Sequence, residues 1–136
     1  MKSKYLFFLI TIFISSVLKA ENLLIESKNI TIEKKNELSI FENDVIITTP
    51  EKNIIKSDYA EYNKKKGIIT LKNNIRAIDN EKNEIKSDYA IYNENLKILE
   101  SIGPTQVKTI ENYNIDGSNI VFDDLNGVIT SKQKTI

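Results

Sequence analysis

"IKSDYAEY" (residues 55–62) and "IKSDYAIY" (residues 85–92) agree at seven of eight positions, thirty residues apart. The offset reaches well beyond the phrase. Ile25, Ile55, Ile85 and Ile115 share one column, and Ser27, Ser57, Ser87 and Gly117 form a column of small residues. Ile30, Ala60, Ala90 and Ile120 make a third, Ile32, Tyr62, Tyr92 and Phe122 a fourth, and Leu38, Ile68, Ile98 and Val128 a fifth. Four units of about 30 residues therefore run from residue 25 to the end, the mark of a stacked or winding architecture.

Each unit reads as two strands. In "GIITLKNNIRAID" (residues 67–79), Ile69, Leu71, Ile75 and Ala77 share one parity with mostly polar letters between them, the period of a half-buried strand. No window of the body shows a helical stripe. Turn-forming clusters fall where strands should end: "NKKKG" at 63–67, "DNEKN" at 79–83, "NENLK" at 93–97 and "DDLNG" at 123–127. The expectation is all-β, about eight strands, antiparallel.

Two details predict that the strands bend. In "IKSDYAEY" Ile55 and Ser57 lie on one parity, Ala60 and Tyr62 on the other. A strict period of two cannot switch, so a bulge near Asp58 is implied. In the second strand of successive units, Asn43, Asn73 and Gly103 stand thirty apart, and these residue types tolerate a left-handed backbone most cheaply. One corner per strand at a repeated depth folds a sheet along a crease. The product is a long trough or flattened tube whose interior suits a long apolar guest.

Composition excludes much chemistry. The 136 residues, 40% hydrophobic, suffice for one globular domain. There is no Cys for a disulfide, thiolate or lipidated anchor, and no His for the usual general base or zinc ligand. With four glycines and no phosphate-binding fingerprint, nucleotide chemistry is disfavoured. The acids lie among lysines at turns, as on a solvated surface, so no enzyme, cofactor or metal site is expected. Lys2, Lys4 and Lys19 are the only charges in residues 1–20; removing them leaves 16 basic against 19 acidic residues, a net of −3. An acidic body without a basic stripe argues against nucleic acid as partner.

Residues 1–20, "MKSKYLFFLITIFISSVLKA", place two lysines before a 14-residue apolar run and end on Ala20. That is a signal-peptide pattern, shorter than the ~20 residues of a spanning helix. Cleavage after Ala20 would leave residues 21–136 as the exported domain; the rival reading is a retained inner-membrane anchor.

"I-x-S-D-x-x-x-Y" followed by "G-I-I-T-L-x-N-N-I" resembles the OstA/LptA-like β-jellyroll family of lipopolysaccharide transport. That family pairs an I-x-[AG]-D-x-x-x-Y strand with an L-x-G-N-V strand. Here Ser57-Asp58 and Ser87-Asp88 stand at the [AG]-D place, and residues 71–75 match the second motif with Asn for Gly. Residues 41–45 match it loosely, Gly103 is followed by Pro104, and the fourth unit breaks off. The resemblance covers residues 22–136. It implies a bent antiparallel β-jellyroll in the periplasm, without catalysis, that shelters the acyl chains of lipopolysaccharide. It also implies jellyroll domains joined end to end by edge strands, and indirect contact with the outer membrane through a barrel component. The soluble bridge and the N-terminal part of the barrel protein both remain open. Under this reading the groove is lined by Ile55, Tyr62, Ile69, Leu71, Ile75, Ile85, Tyr92, Ile115 and Phe122. Lys64, Lys65 and Lys66 sit at a turn and read as solvated. The competing reading is a structural or adhesive β-repeat with a filled core and no cargo.

Overall fold

The computed structural model describes residues 23–131; the expected signal peptide at 1–20 lies outside them. Eleven strands follow one another: β1 (Leu24–Glu26), β2 (Asn29–Glu33), β3 (Leu38–Thr48), β4 (Ile54–Asn63), β5 (Ile68–Ile78), β6 (Glu84–Asn93), β7 (Ile98–Ser101), β8 (Pro104–Lys108), β9 (Asn114–Ser118), β10 (Ile120–Asp123) and β11 (Val128–Ser131). One 3-10 turn, Lys34–Asn36, joins β2 to β3. All pairings among the described residues are antiparallel, in one unclosed sheet.

The thirty-residue frame survives as geometry in the centre. β3 and β5 begin and end thirty residues apart, and so do β4 and β6. Outside this group the expected long strands are divided. β1 and β2 pair with opposite halves of β3, and β7 and β8 pair with opposite halves of β6. Then β9 continues from β8, and β10 continues from β7 with β11 beyond it. The sheet is therefore two half-sheets sharing four continuous strands.

The fold line is where the predicted bulges fall. Register slips between Glu42 and Val45 on β3, between Lys56 and Tyr59 on β4, and between Lys72 and Ile75 on β5. Asn43 and Asn73 hold φ of +67° and Gly103 holds +85°, the left-handed conformation their residue types favour. Each Asn is followed by a second left-handed residue, Asp44 or Asn74. Two residues on the odd strand thus stand against Asp58 or Asp88 on the even one. Buried positions on β4 accordingly pass from Ile55 and Ser57 to Ala60. The serines have a local task as well as small size: the Ser57 hydroxyl donates to the Tyr59 carbonyl at 3.0 Å, and Ser87 to Tyr89 at 3.1 Å. Ser27 does the same for Asn29 between β1 and β2.

Folding over the crease makes the half-sheets two layers around one core. The repeat columns become rows across the strands. Ile25, Ile47, Ile55, Ala77, Ile85, Val107 and Ile115 are successive cross-strand neighbours in one layer. Ile32, Ser39, Tyr62, Ile69, Tyr92, Leu99, Phe122 and Ile129 are neighbours in the other. Phe41, Ala60, Leu71 and Ala90 alternate large with small, which lets facing side chains interdigitate.

Asn73 tests the crease. Asn73→Val, a β-branched residue forced to φ near +67°, is expected to cost ~1–3 kcal/mol in urea unfolding, whereas Asn73→Gly should stay within ~0.5 kcal/mol of the parent. Equal effects would remove the left-handed corner as the reason for asparagine there.

Candidate functional site

The space between the layers is the site that sequence reasoning singled out. Ile55, Ile69, Leu71, Ile75, Ile85, Tyr92 and Phe122 all lie in one buried cluster, each at most 4% exposed. Phe41, Val45, Ile47, Ala60, Ala77, Ala90, Leu99, Val107 and Ile120 complete it. Tyr62 packs against this cluster while partly buried, and its hydroxyl donates to Glu94 at 2.6 Å. Burial, then the Glu94 carboxylate, pushes its phenol up to about 12.

Ile115 stands apart from the others. It is 50% exposed and outside the cluster, although it ends the same row as Ile55 and Ile85. The reason is its strand. Among the described residues β9 pairs only with β8, and no further strand of theirs covers that end. Position in the repeat set the row correctly; distance from the sheet edge set the burial. The opposite edge behaves alike, with Ile30 55% and Ile32 67% exposed on β2, which pairs only with β3.

A second group was missed by the sequence reading, which took the turn acids as solvated. Asp124, in the "DDLNG" turn, is 3% exposed. Thr49 donates to its Oδ1 at 3.3 Å and Tyr92 to its Oδ2 at 3.0 Å, and Asn53 Nδ2 also donates to Oδ1. Its backbone N–H donates to the Lys97 carbonyl at 2.9 Å. Lys97 Nζ in turn meets Glu51 at 2.9 Å. Residues 49–53 close one layer at the margin opposite the crease, while 93–97 and 123–127 close the other. These bonds therefore clasp the margin. The neighbouring Asp123 makes an ordinary turn, accepting from the Asn126 N–H at 3.0 Å. No local sign distinguishes the two aspartates, because the side-chain partners of Asp124 are 32 to 75 residues away.

Recesses among the described residues sit away from the core centre. One of about 580 Å³ lies beside the crease, with Arg76, Lys86, Asp88, Pro104, Thr105 and Asp116 among its walls. One of about 330 Å³ lies over the clasp, with Glu51, Asn53, Asp79, Asn80 and Asp124 among its walls. Both have mixed walls. Lys64, Lys65 and Lys66 are exposed at the β4–β5 turn.

No family model matches the chain, and no curated protein matches it significantly. Among solved structures it is similar to LptH of Pseudomonas aeruginosa, described as the LptA-homologous periplasmic component of the conserved lipopolysaccharide transport device. The TM-score is 0.68 at 12% identity, over 84% of each chain. The chain thus has an LptA-like bent β-jellyroll fold.

Burial separates the expected residues experimentally. Ile85→Ala, made in the core, should lower unfolding stability by ~2–5 kcal/mol, whereas Ile115→Ala at the open edge should lower it by less than ~1 kcal/mol. Chemical denaturation of the two variants checks this, and similar losses would contradict the edge assignment.

Proposed function

We propose that the chain is an exported, non-catalytic carrier of lipopolysaccharide in the periplasm, taking acyl chains between its layers. The observation that carries this reading is the shared fold with a periplasmic lipopolysaccharide-transport component over 84% of both chains. Burial of hydrocarbon supplies the driving force. At about 0.8 kcal/mol per methylene, a fourteen-carbon chain gains roughly 10 kcal/mol on leaving water. In this reading Ile55, Tyr62, Ile69, Leu71, Ile75, Ile85, Tyr92 and Phe122 meet the guest, and the layers part to admit it. Ile115 extends the apolar row at the mouth. Domains join end to end through their outer strands, β1 and β2 of one against β9 and β11 of the next. Room for further strands at both ends of the sheet among the described residues, and the exposed Ile30, Ile32 and Ile115, support that reading, since strand addition would cover those side chains. Contact with the outer membrane is then indirect, through the partner domains.

The close packing of the core favours a second reading, a structural or adhesive β-repeat without cargo. One measurement separates the two. A fluorescent fatty-acyl probe is added to residues 21–136, and lipopolysaccharide is titrated in. The carrier reading expects saturable probe binding, displacement by lipopolysaccharide, and at least about tenfold weaker binding for Leu71→Asp if it remains folded. A folded domain without saturable binding would leave the structural reading standing.

A further inference from the structure

The charges at the clasp do not balance as drawn. Lys97 meets one oxygen of Glu51, while the other, Oε2, is buried and receives no hydrogen bond. Glu51 and Asp124 line the same recess over the clasp, where each carboxyl group influences the other. Around Asp124 stand three neutral donors, Thr49, Asn53 and Tyr92. If both carboxylates were ionised, one ammonium would face two negative charges at a place where Asp124 is 3% exposed. Oε2 would also stay unsatisfied, at a cost of about 1–3 kcal/mol or more. A single proton removes both faults, because it cancels the excess charge and supplies the missing donor.

We propose that the margin opposite the crease is held shut by one proton shared between Asp124 and Glu51, and that the clasp loosens when this proton leaves. Burial, reinforced by the Glu51 charge, holds the Asp124 carboxyl above the usual range against the pull of Asn53 and Tyr92. Burial acts on Glu51 in the same direction, but Lys97 and a hydrogen bond with Asp124 outweigh it and hold its carboxyl below the usual range. Other charged neighbours deepen the demand for the proton. Glu51 and Glu94 both act on Tyr92, whose phenol is itself raised mainly by burial, and Asp79 and Glu81 line the recess over the clasp.

The direction with pH follows. A carboxyl raised in the folded state contributes stability that is fully present below its unfolded pKa of ~3.9 and is lost as pH rises through the raised value. Above that point two carboxylates repel across the margin, and residues 49–53 part from 123–127. The crease cannot part in this way, because β3 to β6 run through it unbroken. On the carrier reading the margin is a lateral way into the core, but the proton clasp stands whether or not a guest is ever taken.

The test uses the full chain and no lipid. Side-chain carboxyl resonances are followed from about pH 3 to about pH 9, together with amide hydrogen exchange corrected for its intrinsic pH dependence. Asp124 should titrate above the ordinary carboxylate range, and exchange at 49–53 and 123–127 should quicken roughly tenfold across that midpoint while the β4–β5 hairpin stays protected. Asp124→Asn, whose amide can donate to Oε2, should abolish the step. Should that variant fail to fold, Glu51→Gln should return Asp124 toward the ordinary range. An Asp124 midpoint at or below ~3.9, or an unchanged exchange step in folded Asp124→Asn, would overturn the proposal.

Discussion

A β-strand shows successive side chains to opposite faces, so a strand that passes from one layer into another around the same core must break its two-residue alternation where it turns. Every continuous strand here meets that constraint at the same depth. On β4 and β6 the buried positions change parity, whereas on β3 and β5 they stay odd and the break is two exposed left-handed residues, Asn43-Asp44 and Asn73-Asn74, set against a single residue on the neighbouring strand. Serine hydroxyls satisfy the Tyr59 and Tyr89 carbonyls beside the slip. Without the parity change on β4 and β6, Ala60 and Ala90 would face solvent whenever Ile55 and Ile85 faced the core. The cross-section, the rows and the clasp all depend on it.

The two sides of the roll are consequently held by different physics. At the crease the chain is covalently continuous, and the core behind it is apolar and closely packed. At the margin, closure rests on a few buried polar groups whose partners come from four turns and strands. Such groups are directional and sensitive to protonation, whereas aliphatic packing is neither. Tyr92 belongs to both regimes: its ring lies in the apolar cluster and its hydroxyl reaches Asp124. A change at that one residue would therefore touch packing and clasp together.

The sequence made the repeated features legible and left the long-range ones hidden. Ile55, Ile69, Leu71, Ile75 and Ile85 could be placed inside because parity and the thirty-residue frame agree on them. Asn43, Asn73 and Gly103 betrayed the corner because few residue types accept a left-handed backbone. The division of the outer strands was not legible, since it follows from lying beside a creased neighbour rather than from local propensity. The exposure of Ile115 was hidden for a related reason: a column records which row a residue joins but not how many strands lie beyond it. Asp124 was invisible because an aspartate in a turn normally faces water, and its burial comes from Thr49 and Tyr92, far away in the chain.

The unlike ends of this sheet have a consequence for assembly. One end presents β1 and β2 with Leu24, Ile30 and Ile32 exposed, and the other presents β9 and β11 with Ile115 and Val128. Two copies joined unlike end to unlike end would make a head-to-tail contact without a dyad, open-ended unless the rotation per step closes a ring. In the open case each addition would present a fresh end like the one it covered, and subunit supply or a dissimilar cap would set the extent.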